Sequence, residues 1–196
     1  MRAWESLVLQ CKVNSGEARQ RVIRKLLMNK TNETLVLFLY YIGIIALSRV
    51  IPHPPNFTPV IAMAIFMPYM TRDIYLAMLV PVTAMFVSDL YLGLHSFMIW
   101  IYGTIMLCTL VSRYLNLITM SILAPVIFFT TTNFGVWLTS TLYPKTLDGL
   151  ILCYTMAIPF FRNTLLSTIF YILLLGAIYE ISKRSYTWLR KYYYLQ

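Results

Sequence analysis

Residues 49–66 read RVIPHPPNFTPVIAMAIF and join two apolar runs of the chain through a segment with four prolines. Proline fixes φ and donates no backbone hydrogen bond, so residues 52–59 are predicted to form a stiff, non-helical loop. Arg49, His53 and Asn56 are interleaved with the prolines. A stiff loop that carries a cation, an imidazole and an amide suits a small-molecule site. The alternative is a capped turn whose polar groups only satisfy helix ends.

The composition of the chain is that of an integral membrane protein. Of its 196 residues, 59% are hydrophobic and 12% are charged, whereas soluble domains carry about 25% charged residues. Most of the chain is therefore expected to face the lipid bilayer or other apolar helices. The net charge of +9 comes mainly from the two ends, which is typical of cytoplasmic flanks beside anionic headgroups. No nucleic-acid partner is expected.

Residue types that carry catalysis or metal binding are sparse. The three cysteines, Cys11, Cys108 and Cys153, have no CxxC spacing and are interpreted as unpaired apolar residues. Two histidines without an HExxH motif argue against a metal site. The chain also has no Walker A and no GxSxG motif. It is therefore not expected to be an enzyme, and no cofactor is expected.

The sequence divides into three regions. Residues 1–33 are interpreted as a basic cytoplasmic arm, with an amphipathic helix on the membrane surface from about residue 16. Residues 34–182 form the predicted transmembrane domain, and residues 183–196 a basic cytoplasmic tail. Met28 is an alternative start, which would make the arm dispensable.

The fold class predicted for the transmembrane domain is all-α, a polytopic membrane protein with a six-transmembrane-helix bundle. Pro159 and the Arg162–Asn163 pair divide the last apolar stretch, which is too long for one span, so an extra outer-face half-helix is predicted before the sixth span. The alternative for this half-helix is an interfacial helix resting on the bilayer. The predicted spans are residues 34–50, 58–70, 74–92, 97–112, 117–141 and 163–182, with the half-helix at 147–160.

The distribution of basic residues predicts the orientation. With six crossings, both basic ends lie in the cytoplasm, together with Arg72 and Arg113. Only Arg49, Lys145 and Arg162 then lie outside, as the excess of positive charge on the inner side requires. The predicted location is the cytoplasmic (inner) membrane, with both termini cytoplasmic.

Asp89 is the sharpest candidate for a functional residue, because it lies within the outward end of an apolar helix. An ionisable residue inside a membrane is expensive and needs a partner. Arg49 is the first choice for that partner, and Arg162 the second. The alternative is a structural ion pair that closes the outer end of the bundle.

A second candidate surface lies on the fifth span, where Thr130, Asn133 and Trp137 follow helical spacing and share a face. A hydroxyl, an amide and an indole together could bind a planar ligand. Equally, Asn and Thr hydrogen-bond neighbouring helices in membranes, and Trp belongs to the interfacial belt. The half-helix and the residues just after it add Tyr154, Arg162 and Asn163 to the candidates. The predicted ligand-binding set is Arg49, His53, Asn56, Asp89, Asn133, Trp137, Tyr154, Arg162 and Asn163.

Several of these residues fall in motifs that resemble those of a family of small, uncharacterised bacterial membrane proteins. That family is similar in fold to the substrate-binding (S) components of energy-coupling factor transporters, and the likeness covers about residues 35–180. Two departures are the absence of AxxxA spacing in the first helix and the presence of Ser167 and Thr168 after the NTL motif. The motifs are PHPPNFTPV (52–60), LVP (79–81), SDL (88–90), TNFGVW (132–137), YPKTLDGL (143–150), CY (153–154) and IPFFRNTL (158–165).

The resemblance implies a six-helix bundle with a vitamin-like ligand bound near its outer face, beneath the loop after the first helix. It also implies two kinds of partner, a scaffold transmembrane subunit and cytoplasmic ATPases. The leading hypothesis is thus a substrate-binding subunit for uptake of a small vitamin-like or heterocyclic molecule. The alternative is a non-transporting structural or assembly subunit of a membrane complex.

Overall fold

The computed structural model describes residue 35 and residues 38–194, with side chains described up to residue 181. The predicted basic arm and its amphipathic helix lie outside the described residues. The chain divides into two units, Met1–Tyr40 and Tyr41–Gln196, and the packing reported below is that of the second unit. Over the described residues the fold is all-helical, with six helices: α1 (Phe38–Val50), α2 (Val60–Met70), α3 (Ile74–Leu92), α4 (Met98–Val111), α5 (Leu117–Thr139) and α6 (Leu147–Tyr194).

Three of these helices are long and apolar enough to cross a membrane. They are α3 with 19 residues, α5 with 23 residues and the Leu147–Ile181 part of α6 with 35 residues, with mean hydropathies of 1.6, 1.6 and 1.8. At a rise of 1.5 Å per residue, the shortest of them is about 28 Å long, close to the ~30 Å of a bilayer's hydrocarbon core. The helices α1, α2 and α4 are apolar but shorter. The count of six crossings therefore stays a prediction.

The short helix α2 forms the centre of the packing. It contacts α3, α4, α5 and α6, and all its residues from Val60 to Met67 are buried. A helix that is apolar on every side is stable only when other helices surround it. The predicted span of residues 58–70 corresponds to this helix of 11 residues, Val60–Met70. Its shortness is compatible with a position inside the protein.

The predicted break between the half-helix 147–160 and a sixth span starting at residue 163 is wrong. α6 runs without interruption for 48 residues, with Pro159 inside it. A proline removes one backbone hydrogen bond, whereas a broken helix leaves several groups unpaired where no water can reach them. Continuing the helix is therefore the less costly arrangement. Prolines also lie inside α2, α3 and α5, at Pro68, Pro81 and Pro125.

The connections between helices define two ends of the α3 axis. At the first end, the Arg113 side chain donates to the carbonyl oxygen of Arg72. The Tyr69 hydroxyl donates to the carbonyl oxygen of Leu115 across 3.1 Å at the same end. We call this the Arg72 end. Asp89 lies near the other end of α3, which we call the loop end because residues 51–59 connect α1 to α2 there.

Candidate functional site

A buried ion pair joins α1 to α3 at the loop end. Arg49 Nη1 lies 2.6 Å from Asp89 Oδ1. Asp89 is only 1% exposed, and the Arg49 side chain is 16% exposed. The prediction that Arg49 is the partner of Asp89 is confirmed. The other carboxylate oxygen, Oδ2, accepts a hydrogen bond of 2.6 Å from the Tyr102 hydroxyl of α4. Protein groups thus contact both oxygens of the buried carboxylate, which offsets part of its desolvation cost.

Among the described residues, the guanidinium of Arg49 is bonded to the protein through one nitrogen, Nη1. Nη1 also donates to the Met85 carbonyl oxygen at 3.1 Å and to the Ser88 hydroxyl. A guanidinium has five N–H donors in a rigid fork. Within the part of the chain that the structure describes, no acceptor is bonded to Nη2 or Nε. These donors are therefore free for a ligand.

Arg49 lines a cavity of about 210 Å³, which we call the Arg49 cavity. Each of the six helices contributes at least one side chain to its walls, and so does the 51–59 loop. The site is therefore assembled by the tertiary fold and not by one segment. Its polar lining consists of Arg49, His53, Asn56, Thr58 and Thr164, and its apolar lining of Val60, Ile61, Met85, Leu92, Ile101, Ile105 and Phe128.

A second cavity of about 100 Å³, the Asn133 cavity, lies beside the first and shares part of its wall. Asn133 donates from Nδ2 to the Phe129 carbonyl oxygen of its own helix, across 2.8 Å. The lining residues in common with the Arg49 cavity are Asn56, Phe128 and Thr164, and the others are Phe129, Thr132, Asn133, Phe160 and Phe161.

The 51–59 loop makes a tight turn at the cavity. The Phe57 amide donates to the Pro54 carbonyl oxygen across 2.9 Å, and Asn56 has a φ of +61°. Proline at the second position and a positive φ at the third define a type II turn, where asparagine or glycine is favoured. The PPNF sequence therefore fixes this turn. Among the described residues, no hydrogen-bond partner contacts the Asn56 side-chain amide, which lines both cavities.

Two polar residues of α6 fasten the loop. Asn163 Nδ2 donates to the Pro55 carbonyl oxygen at 2.9 Å, and the Ser167 hydroxyl contacts the Asn56 carbonyl oxygen at 3.4 Å. The Phe57 ring lies 6.1 Å from the Phe170 ring, between centroids. Asn163 thus positions the loop and lines neither cavity.

His53 lies on the exposed side of the loop and lines the Arg49 cavity. Its Nδ1 is 2.6 Å from the Ile51 carbonyl oxygen. Because a carbonyl oxygen only accepts, this contact places a proton on Nδ1. The Nε2 of the neutral ring is then an acceptor.

The structure places the remaining predicted residues outside both cavities. Trp137 donates from Nε1 to the Pro144 carbonyl oxygen at 2.9 Å, next to Lys145, whose Nζ contacts the Ser140 carbonyl oxygen at 2.5 Å. Asp89 and the exposed Arg162 also line neither cavity. Four of the nine predicted ligand residues therefore line the cavities: Arg49, His53, Asn56 and Asn133.

The predicted shared face of α5 is divided in the structure. Asn133 lines its cavity, whereas the Thr130 hydroxyl donates to the Val126 carbonyl oxygen of its own helix at 2.9 Å. The Tyr154 hydroxyl donates to the Thr130 carbonyl oxygen at 2.7 Å and so joins α6 to α5. Tyr154 and Thr130 therefore connect α6 to α5, and they line neither cavity.

Sequence reasoning missed Tyr102, Thr132 and Thr164. The two threonines belong to the polar TTTN and RNTL stretches, so their motifs carried a signal. Tyr102 is one of the 15 tyrosines of the chain and lies in an apolar stretch, so nothing in the sequence distinguishes it. Only the packing of α4 against α3 shows that it contacts Asp89.

A protein-family model matches most of the chain. A model described as "Family of unknown function (DUF6580)" matches residues 29–190, which is most of the chain. No curated protein and no solved structure matched. The chain has helices suited to a membrane and two adjoining cavities, and it belongs to the family DUF6580.

Proposed function

We propose that this protein is a substrate-binding subunit of a membrane uptake system. It captures a small vitamin-like or heterocyclic molecule through a hydrogen-bond-accepting group, in the Arg49 cavity beneath the 51–59 loop. The observation that carries the proposal is the state of Arg49. One nitrogen of its guanidinium is fixed by Asp89, and the remaining donors belong to a residue that lines the Arg49 cavity.

The ion pair prepares Arg49 for this role. An arginine fork matches the two oxygens of a carboxylate or a phosphate. Because Asp89 balances the charge, the guanidinium has a charged partner in a medium of low dielectric before any ligand binds. The Met85, Ser88 and Asp89 contacts on Nη1 also fix the direction in which the other donors point. Little conformational freedom is then lost when a ligand binds.

The size and walls of the cavity indicate the size of the ligand. Its volume of about 210 Å³ is several times the ~30 Å³ share of one water molecule in the liquid. It is smaller than the ~300 Å³ at which pockets for drug-sized ligands begin. Mostly apolar walls with a few convergent polar groups are typical of small-molecule sites. A small molecule with one strongly accepting group fits this description.

The distribution of charge supports the direction of uptake. Arg72 and Arg113 meet at one end of α3, and the cavity lies toward the other end. If the Arg72 end is cytoplasmic, as the excess of positive charge suggests, the loop end faces outward. This arrangement keeps both termini cytoplasmic in the inner membrane. A scaffold subunit and ATPases would supply the energy, since the chain has no nucleotide-binding motif.

Native mass spectrometry of the detergent-purified protein tests capture directly. The wild type is expected to retain a small-molecule adduct, or to acquire one from a panel of vitamins and nucleobases. The variant Arg49→Lys keeps a charge for Asp89 but has no fork, so it is expected to lose the adduct while it stays folded. The matched control is Arg162→Lys, because Arg162 is exposed and lines neither cavity. This variant is expected to behave as the wild type does.

Two results would contradict the proposal. A wild type that shows no adduct after exposure to the whole panel would favour the structural or assembly subunit instead. An adduct that persists in Arg49→Lys would show that the ligand binds elsewhere.

A further inference from the structure

We propose that the Arg49 cavity and the Asn133 cavity are two subsites for one elongated ligand. The ligand carries a hydrogen-bond-accepting group, such as a carboxylate, at the Arg49 end. At the Asn133 end it carries N–H donors, as an amine or a heterocyclic N–H does. This inference rests on the proposed function and specifies the class of molecule that the protein would capture.

The partition between the cavities contains a side chain that is free to move. Asn56, Phe128 and Thr164 line both cavities. Thr164 is 4% exposed, and its hydroxyl donates to the Phe160 carbonyl oxygen at 2.9 Å. Asn56, by contrast, is exposed on the loop, and among the described residues its amide has no partner. A change of its rotamer therefore breaks none of the hydrogen bonds described here, so this shared wall residue can adjust to a ligand.

The polar groups of the Asn133 cavity are mostly acceptors. The Thr132 hydroxyl donates to the Phe128 carbonyl oxygen at 2.6 Å, and Thr164 makes the same type of bond. A hydroxyl has one donor and two lone pairs, so both oxygens can only accept further bonds. Asn133 uses Nδ2 on its own helix, and among the described residues no donor contacts its Oδ1. This polarity is opposite to that of Arg49, which only donates.

The remaining walls of the Asn133 cavity are aromatic. Phe129, Phe160 and Phe161 line it, and the rings of Phe129 and Phe161 are 4.9 Å apart between centroids. The face of an aromatic ring is electron-rich and attracts positively polarised groups. No charged side chain is among the residues that line this cavity. A group bearing N–H donors is therefore favoured there over a second anion.

Two probes of nearly equal shape test this polarity. Para-aminophenylpropionate has a carboxylate at one end and an amine at the other, and para-methylphenylpropionate replaces the amine with a methyl group. Dissociation constants are measured by isothermal titration calorimetry on the purified full chain in detergent. The amine probe is expected to bind about 5–10-fold more tightly, as one hydrogen bond provides.

A matched pair of threonine variants locates the effect. Thr132→Val removes an acceptor from the Asn133 cavity, while Thr130→Val removes an equivalent hydroxyl that lines neither cavity. Thr132→Val is expected to weaken the amine probe by about 3–10-fold and to leave the methyl probe unchanged. Thr130→Val is expected to change neither. Asn133→Leu is a second variant, in which the two probes are expected to bind equally.

The outcomes separate this inference from the proposed function. If both probes bind the wild type equally, or if Thr132→Val weakens both alike, the donor subsite is wrong while capture at Arg49 stands. If the methyl probe binds more tightly than the amine probe, the polarity of the Asn133 cavity is wrong. If neither the amine probe nor the methyl probe binds at millimolar concentration, the inference fails. The native mass spectrometry experiment then tests the capture proposal by itself.

Discussion

Two aspartates at opposite ends of α3 have opposite surroundings. Asp73 precedes the helix at the Arg72 end, is exposed, and accepts hydrogen bonds from the amides of Tyr75 and Leu76 at 2.9 and 3.3 Å. Asp89, near the other end, is buried and contacts side chains of α1 and α4. The first carboxylate caps its own helix, as is usual at an N-terminus. The second joins three helices.

The difference shows at which end of α3 a carboxylate is buried at a cost in desolvation free energy. At the Arg72 end, polar side chains mainly contact backbone groups and remain in water's reach, so each contact costs and contributes little. At the loop end, Asp89 is removed from solvent, which is favourable only with a paired charge and further hydrogen bonds. Arg49, held in this way, is also the residue that lines the cavity. We infer that the costly pair is retained because it positions Arg49.

The largest expected effect is that of Asp89→Ala. The substitution leaves the Arg49 charge and the Tyr102 hydroxyl without their partner in a buried environment. Breaking a buried pair in this way costs about 3–5 kcal/mol. The free energy of unfolding of the detergent-purified protein, measured by denaturant titration, is expected to fall by that amount.

Asp73→Ala is the matched control for this prediction, since it removes a carboxylate from the opposite end of the same helix. Losing an N-cap costs about 1 kcal/mol. Equal losses in the two variants would mean that the Asp89 pair is as weak as a surface contact, and the contrast between the two ends would disappear.

A second, smaller contrast concerns the contact of α4 with α5. A Cβ added to Gly135 would overlap the Trp100 ring, whereas one added to Gly176 of α6 would meet no atom of the described residues within 4 Å. Gly135→Ala therefore forces the indole or the helices to move, at an expected cost of about 1–3 kcal/mol. Gly176→Ala is expected to be neutral, or to stabilise the helix by up to ~1 kcal/mol. Thermal unfolding of both variants measures the difference.

A stable Gly135→Ala variant would show that the Trp100 ring has room to rotate away. The close approach would then not be required for packing. A destabilised Gly176→Ala variant would instead indicate a neighbour at that position, such as a second protein in the membrane.

The helices of this fold follow closely from the sequence. The predicted spans 74–92 and 97–112 correspond to α3 and α4 within a residue at each end, because apolar runs bounded by charges, Gly and Asn mark where a helix meets water. The predicted break at Pro159 is the exception. The rule that proline ends a helix holds in water, where the freed groups find partners. It does not hold in apolar surroundings, where the unbroken helix keeps more hydrogen bonds.

The site follows from the sequence only in part. The sequence predicts the Arg49–Asp89 pair because two opposite charges in apolar segments at the same depth of the membrane compensate each other. The sequence could not show which side chains line a cavity, because that depends on how helices distant in sequence rotate about their axes. Trp137 has the helical spacing to join Asn133, yet its indole N–H contacts the Pro144 carbonyl oxygen. Tyr102 had no signal beyond its hydroxyl group.

The turn at Asn56 gives the smallest of the three effects and tests whether the loop end is shaped locally or by its contacts with α6. At a φ of +61°, an alanine would be strained by about 1–2 kcal/mol. Glycine adopts this conformation without strain. Its only cost is the ~0.5–1 kcal/mol that comes from a more flexible unfolded chain. Asn56→Ala is therefore expected to raise hydrogen exchange at the Phe57 amide, which donates to Pro54 in the turn, more than Asn56→Gly does. If the two variants exchange alike, the turn is held by the Asn163 contact with Pro55. The loop end would then differ from the Arg72 end in two respects: a contact with another helix holds its backbone, and its carboxylate is buried.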